Sequence, residues 1–299
     1  MRSDVGDRKA IPRRPEILNH HGRKRMPERF KLGLNIDNVA EKPPLELAPG
    51  WDTAEIPITE LLLPYDSDDA WEKKLAEIRS WNQPPFVATS HWLWDERVTG
   101  PKATAWEELE RQAEQACRRM AQLAKGMVAG VWGNFFAVSD EKLRIRETDH
   151  ALKYCEMVSR YAERHGILIA LEPTANPKTV FPKYTDGIDF VRRLNQPSIR
   201  LMADLNYFVQ IDEPFEDIQI RPDLCLHVHI QGVTYQPNVG DCTEKILHIF
   251  RVLRDMRYGR TVSSAHPWIA TEGERFNYRL ESAKTLHYLQ RLRDQAYSE

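Results

Sequence analysis

From residue 31 onward, short apolar runs alternate with longer amphipathic segments. Apolar runs of this kind, bounded by turn residues, are typical of buried strands. The predicted strands fall at 30–35, 58–64, 85–94, 127–136, 167–173, 199–204, 224–230 and within 261–272. Between several of them, apolar residues recur every three or four positions, which predicts helices over 106–123, 148–166, 246–256 and 283–292.

Regular alternation of strands and helices predicts parallel strands joined by helical crossovers. Eight such units favour a single (β/α)8 TIM barrel. The alternative, an open doubly wound sheet, would favour a glycine-rich phosphate loop after an early strand. The chain contains neither G-x-G-x-x-G nor G-x-x-x-x-G-K-[ST]. The segment 36–57, rich in proline and acidic residues, is predicted to be a long loop with a short helix.

The N-terminal residues differ in charge from the rest of the chain. Residues 1–30 contain nine Lys or Arg against four Asp or Glu, whereas the whole 299-residue chain has a net charge of −2. We therefore predict a basic N-terminal arm at 1–30 and the barrel domain at 31–299. The arm is either solvated or clasps an acidic partner subunit.

Composition indicates which kinds of binding partner and which cellular location to expect. The sequence pI near 6.6 disfavours a dedicated nucleic-acid binder, and no apolar run is long enough to span a bilayer. The first residues contain no apolar stretch typical of a secretory signal, and the four cysteines form no C-x-x-C pair. We expect a cytoplasmic protein that binds neither nucleic acid nor membrane.

Candidate chemistry lies where the late strands end, because parallel barrels place their active sites at the C-terminal ends of the strands. Glu172, Asp204, His229 and Glu272 lie at or next to the ends of four consecutive predicted strands. Three carboxylates and one imidazole suit a divalent ion such as Mn²⁺, Mg²⁺, Co²⁺ or Zn²⁺.

The seventh run, LCLHVHI, also carries its own pattern. Since side chains alternate along a strand, Cys225, His227 and His229 are predicted to share the face that points into the barrel. His229 would then lie nearest the mouth, with His227 one layer deeper. A Cys-His-His zinc site is disfavoured, because residues two apart on a strand are separated by about 6.6 Å.

Aromatic residues cluster at or just beyond the predicted strand ends. They are Trp92, Trp94, Trp132, Phe135, Phe136, Tyr207 and Trp268. They either pack in the core and cover its rim, or form an apolar wall of the kind on which sugars and aromatic aglycones stack. The predicted substrate-binding residues are Trp92, Trp132, Asn134, Tyr207 and His227.

The sequence from about 31 to 295 resembles the xylose-isomerase-like TIM barrels, the sugar-phosphate isomerase and epimerase group. The resemblance is carried by GILIALEPTAN (166–176), VRRLNQPSIRLMADLNYF (191–208), LHVHIQG (226–232) and QPNVGD (236–241). It implies that Glu172, Asp204, His229 and Glu272 hold one divalent metal ion, with Mn²⁺ favoured. It also implies proton transfer next to a carbonyl, with Glu172 and Glu272 as proton carriers and His91 as an additional acid or base.

Several positions depart from the family pattern. Tyr207 stands where many members have a histidine, Gln231 where many have an aspartate, and Tyr235 where some epimerases have an arginine. The last strand has two possible registers. One ends at Glu272, which we prefer because WIATE makes a good strand end, and the other places Ala265 at the ligand position.

The resemblance favours a metal-dependent isomerase or epimerase of a keto sugar or sugar-like compound. The main alternative is a lyase of the same superfamily, acting by C-glycoside cleavage or dehydration. A non-catalytic binding barrel and an endonuclease-like hydrolase are less favoured, the latter because more strand-end histidines and a basic face would be expected. The expected partners are a small sugar or glycoside substrate and either further copies of the chain or a small partner subunit.

Overall fold

The computed structural model describes residues 29–35, 47–81, 84–90, 97–231, 242–265 and 277–299. Eight parallel strands close into a barrel in chain order, so the predicted single (β/α)8 TIM barrel is confirmed. The strands are Lys31–Asn35 (β1), Thr53–Pro57 (β2), Phe86–Ser90 (β3), Val128–Trp132 (β4), Leu168–Glu172 (β5), Ile199–Asp204 (β6), Cys225–Ile230 (β7) and Thr261–Ser264 (β8).

Helices follow the strands and cover the outside of the barrel. They are Ile58–Leu62 (α1), Asp68–Ser80 (α2), Trp106–Leu123 (α3), Arg144–His165 (α4), Tyr184–Leu194 (α5), Leu205–Gln210 (α6), Thr243–Asp255 (α7) and Tyr278–Ser298 (α8). The predicted stop at Gly166 is confirmed, because this residue caps α4 with φ 68°, in the left-handed region that glycine adopts without strain. Within the described ranges, no helix combines the length and the apolarity that crossing a bilayer requires.

Two apolar clusters stabilise the barrel. The larger one joins the outer faces of the strands to the helices and contains most of the buried aromatic residues. The smaller one consists of side chains from five consecutive strands, which are Ala88, Val128, Ala170, Met202 and Leu226. Because only strands contribute to it, this cluster fills the barrel interior, as expected for a packed (β/α)8 core.

The second strand is not where the apolar pattern predicted it. The ITELLLP run at 58–64, predicted as a strand, begins with helix α1, and β2 lies just before it, inside the segment predicted as a loop. The strand sequence TAEIP contains a central Glu55 that is 1% exposed. A charged residue in the middle of a short strand breaks the apolar pattern. For this reason the sequence predicts neither β2 nor a role for Glu55.

Strand β7 contains an irregularity that changes which side chains face inward. In the pairing with β6, Leu201 lies opposite Cys225 and Met202 opposite His227, so Leu226 is an extra residue. Such a bulge interrupts simple alternation. Leu226 joins the interior cluster, whereas Cys225 belongs to the outer cluster. The prediction that Cys225 shares a face with both histidines was therefore wrong.

The start of the described chain is packed into the barrel. Phe30 is fully buried, with its ring centroid 4.9 Å from that of Phe250, and Arg29 pairs with Asp294 of α8 at 2.5 Å. Residues 1–28 of the predicted basic arm lie outside the described residues. The arm and the boundary at residue 30 stay predictions.

Candidate metal centre

Three of the predicted ligands meet at the C-terminal ends of neighbouring strands. Glu172 is the last residue of β5, Asp204 is the last of β6, and His229 lies one residue before the end of β7. Asp204 and His229 are direct partners in the β6–β7 pairing. The three predicted strand ends therefore converge at one point of the barrel mouth.

The three side chains are close enough to share one ion. His229 Nδ1 lies 3.7 Å from Glu172 Oε1 and 3.8 Å from Asp204 Oδ2. One ligand atom from each residue lies within 4.8 Å of the other two. Two carboxylate oxygens and one imidazole nitrogen are donors that Mn²⁺ and Zn²⁺ accept. A divalent cation here would also offset the repulsion between two largely buried carboxylates, so the donor set fits a divalent metal.

Local structure holds the Asp204 carboxylate and the backbone of Glu172 in place. Asp204 Oδ1 accepts hydrogen bonds from the Asn206 backbone N–H at 2.7 Å and from Gln231 Nε2 at 3.3 Å. Gly133, just after β4, has no room for a Cβ, which would lie 2.6 Å from the backbone oxygen of Glu172. Because Gly133 has no side chain, the turn after β4 can pack directly against the end of β5, where Glu172 lies.

Burial affects the acidity of Asp204. Desolvation raises the pKa of this carboxyl above its ordinary value, although the charge of His229 and the two hydrogen bonds act in the opposite direction. The oxygen Oε1 of Gln231 is buried beside it and has no hydrogen-bond partner among the described residues. The mouth therefore contains a buried acceptor that a ligand could satisfy.

A further carboxylate lies below the mouth and was missed by sequence reasoning. Glu55 of β2 accepts a hydrogen bond from His227 Nε2 at 2.8 Å, and both of its oxygens lie 3.0 Å from His229 Nε2. Glu55, His227 and His229 form a second group of potential ligands that shares His229 with the first. A signal was present in the sequence, because two histidines predicted to lie inside a barrel require a buried partner.

In this deeper group, burial and charge pairing shift the pKa values in opposite directions, and the summed effect of pairing is larger. Burial alone would raise the pKa of the Glu55 carboxyl, but the charges of His229 and His227 and their hydrogen bonds hold that pKa well below its usual range. For His229, burial opposes protonation. The charge and hydrogen bond of Glu55, helped by Glu172 and Asp204, nevertheless raise the His229 pKa to about 10.

Trp92, Trp94 and Trp268 lie outside the described residues, and the other four aromatic residues predicted at the strand ends divide into two groups. Phe135 and Phe136 are buried in the core, so a place for them in an exposed wall is excluded. Trp132 and Tyr207 are half-buried, and Trp132 Nε1 donates to the Tyr207 hydroxyl at 3.0 Å. This bond links the end of β4 to the helix that follows β6.

Two other predicted substrate-binding residues have structural partners. The side-chain oxygen of Asn134 accepts from Thr174 Oγ1 at 3.2 Å and from Asn176 Nδ2 at 2.8 Å, which ties together the turns after β4 and β5. His227 is 2% exposed and bonds to Glu55 below His229. Substrate contact by Asn134 and His227 stays a prediction.

The remaining predicted site residues, His91, Trp92 and Glu272, lie outside the described residues. The eighth strand ends at Ser264, and the Ala265 backbone N–H donates to the Ile230 carbonyl oxygen at 2.9 Å. The predicted strand end at Glu272 was therefore wrong, and the observed register has Ala265 at the strand end. A ligand role for Glu272 stays a prediction that now lacks the support of its strand position.

Solved structures with a similar fold include several proteins that act on sugars. The 3-keto-D-glucoside 4-epimerase YcjR from E. coli has a TM-score of 0.66 and 17% identity, covering 88% of this chain and 100% of that chain. A D-psicose 3-epimerase crystallised with D-fructose has a TM-score of 0.63 and 14% identity, covering 90% and 97%. The IolI protein with a bound zinc atom has a TM-score of 0.67 and 16% identity, covering 90% and 100%.

At these identities the structural likeness establishes the fold alone. No curated protein sequence matches the chain. Residues 48–286 match the model of a protein family described as "xylose isomerase-like TIM barrel". Because this match covers well over half of the sequence, the chain belongs to the xylose isomerase-like TIM barrel family.

Proposed function

We propose that this protein is a divalent-metal-dependent isomerase or epimerase of a keto sugar or sugar-like compound. The observation that carries the proposal is the convergence of Glu172, Asp204 and His229 at the ends of β5, β6 and β7. Similarity in fold to sugar epimerases, and to a barrel that binds zinc, supports the same conclusion.

In this proposal, Glu172, Asp204 and His229 hold the metal, with Glu272 as the fourth ligand. Mn²⁺ is the proposed ion, because three carboxylates with one imidazole form an oxygen-rich mixed donor set. When bound, a divalent cation supplies Lewis-acid stabilisation of the negative charge that develops on the substrate oxygens.

The side chains of this chain carry the proton. A carboxylate oxygen of Glu172 removes the proton from the carbon next to the substrate carbonyl, and Glu272 delivers a proton from the other side. Asp204 has no proton-transfer role and is held as a ligand by Asn206 and Gln231. His91 is the further candidate for an acid or base.

Other residues would orient the substrate. The hydrogen-bonded side chains of Trp132 and Tyr207 would offer their rings to the apolar face of a sugar. Gln231 Oε1, which has no hydrogen-bond partner within the described part of the chain, offers an acceptor for a substrate hydroxyl beside Asp204. Tyr207 and Gln231 are also two of the positions that depart from the family pattern, so we propose that they adapt the mouth to a distinct substrate.

The test is product analysis with defined metals. The protein is stripped with a chelator, reloaded with Mn²⁺, Mg²⁺, Co²⁺ or Zn²⁺, and incubated with free ketoses and 3-keto-glycosides. We expect an isomeric product of unchanged mass that forms only in reloaded samples, and that forms about 10²–10⁴-fold more slowly with Glu172→Gln. Loss of water or of an aglycone would contradict epimerisation and support a lyase, and turnover in the stripped protein would contradict the metal requirement.

A further inference from the structure

We propose that Glu55 is a positioning residue that locks His229 in the tautomer able to bind a metal ion through Nδ1. His227 in turn holds Glu55 in the required orientation. The inference rests on the metal site of the proposed function, and it assigns a task to a buried group that proton transfer at the mouth does not use.

The two ring nitrogens of His229 face opposite partners. Nε2 lies 3.0 Å from each oxygen of Glu55, whereas Nδ1 faces Glu172 Oε1 and Asp204 Oδ2 at 3.7 and 3.8 Å. An ionised carboxylate only accepts hydrogen bonds, so the nitrogen facing Glu55 carries a proton. A neutral His229 then has its lone pair on Nδ1, where the other two ligands converge.

Glu55 is itself held by a hydrogen bond with His227. His227 Nε2 lies 2.8 Å from Glu55 Oε2, and the two imidazole rings are 5.1 Å apart in an edge-to-face arrangement. All three residues are at most 5% exposed, so water cannot replace any of these bonds freely. A metal-bound histidine whose second nitrogen donates to a carboxylate has a fixed ring orientation and increased basicity.

The same three residues could instead be read as a second metal site, because Glu55, His227 and His229 also lie close together. The distances favour hydrogen bonds. Ligand atoms that share a tetrahedral ion at bond lengths of about 2.0–2.2 Å lie roughly 3.3 Å or more apart. The Glu55 oxygens are 2.8 and 3.0 Å from the histidine nitrogens. Ions on both sides of His229 would also require loss of both of its ring protons.

The test compares metal affinity in Glu55→Gln with affinity in a matched variant. Glu213 is the control, because its half-buried carboxylate also accepts hydrogen bonds, from the Tyr184 and Thr185 backbone N–H groups at 3.0 and 3.1 Å, and it is outside both ligand groups. The dissociation constant for Mn²⁺ is measured at fixed pH by competition with a chelator, without any sugar present. We expect Glu55→Gln to weaken binding by about 10–100-fold and Glu213→Gln to leave it unchanged.

The outcomes separate this inference from the proposed function. If Asp204→Asn weakens Mn²⁺ binding and Glu55→Gln does not, the positioning role is wrong and the metal site stands. If neither variant changes binding, the metal site itself is wrong. Two ions per wild-type chain, falling to one in Glu55→Gln, would make Glu55 a ligand and overturn the positioning role.

A measurement on the unaltered protein keeps the inference testable if Glu55→Gln does not fold. In the Zn²⁺-loaded protein labelled with ¹⁵N-histidine, NMR distinguishes a metal-bound nitrogen from a protonated one. We expect His229 to bind through Nδ1 and to keep a slowly exchanging proton on Nε2. Zn²⁺ bound to Nε2 of His229, or an Nε2 without a proton, would overturn the proposal.

Discussion

Asp204 and His229 are direct partners across the β6–β7 pair, and His229 Nδ1 lies 3.8 Å from Asp204 Oδ2. Both side chains are buried at the C-terminal ends of their strands. Strand pairing therefore sets the distance between the two side chains, so a metal bound between them would be held by adjacent strands of the barrel.

Asp204→Asn should act on metal binding. Because Asp204 is proposed as a ligand without a proton-transfer role, its loss should weaken Mn²⁺ binding by more than the roughly 10–100-fold typical of supporting residues. Activity should return when excess Mn²⁺ is added. Titration of activity against metal concentration checks this, and an inactive variant at saturating metal would contradict the assigned role.

Glu172→Gln should act on the chemical step. An amide oxygen still coordinates a cation but cannot accept a proton, so excess Mn²⁺ should not restore activity. The value of kcat should fall by about 10²–10⁴-fold, the usual contribution of general acid–base catalysis. Glu272→Gln is expected to behave in the same way. Recovery of Glu172→Gln by metal alone would move the base elsewhere, with His91 the first candidate.

Tyr207→Phe should alter substrate binding more than chemistry. It removes the 3.0 Å bond from Trp132 Nε1 and leaves the indole ring, which also packs on Phe135, less firmly oriented. We expect KM to rise with little change in kcat, and stability to fall by about 0.5–1.5 kcal/mol. Tyr161→Phe is the control, since its hydroxyl bonds to Glu110 on the outer helices at 3.0 Å. An equal rise in KM in both variants would contradict a role at the mouth.

Three of the four proposed ligands could be located from the sequence because they lie at or next to the ends of strongly apolar strands. Glu172 and Asp204 stand at such ends, and His229 lies one residue before one. Glu55 could not be found in this way, since its strand, TAEIP, is short and polar at its centre. The position of Cys225 was wrong for a different reason, because a bulge depends on pairing with the neighbouring strand and leaves no mark in the alternation of one strand.

Stability of the metal-free protein should depend on pH through His229. Its pKa is raised to about 10 in the folded state, against about 6.5 in an unfolded chain. The folded state therefore holds the proton more tightly, so this contribution is fully present below about pH 6.5 and is lost as the pH rises towards 10.

Thermal unfolding of the chelated protein between pH 6.5 and 10 checks this prediction. We expect Tm to fall across that range more steeply in the unaltered protein than in His229→Gln, which has no such proton. Equal slopes in the two proteins would contradict the strong pairing of His229 with Glu55.

The central claim, metal-dependent removal of a proton next to a carbonyl, is tested most directly by exchange with deuterated water. A ketose or keto-glycoside that the protein binds is incubated in D₂O, and deuterium at the carbon next to the carbonyl is followed by NMR. The account predicts incorporation with the Mn²⁺-loaded protein, none after chelation, and a rate lower by about 10²–10⁴-fold in Glu172→Gln at saturating metal. Incorporation at the same rate in the chelated protein or in Glu172→Gln would contradict it.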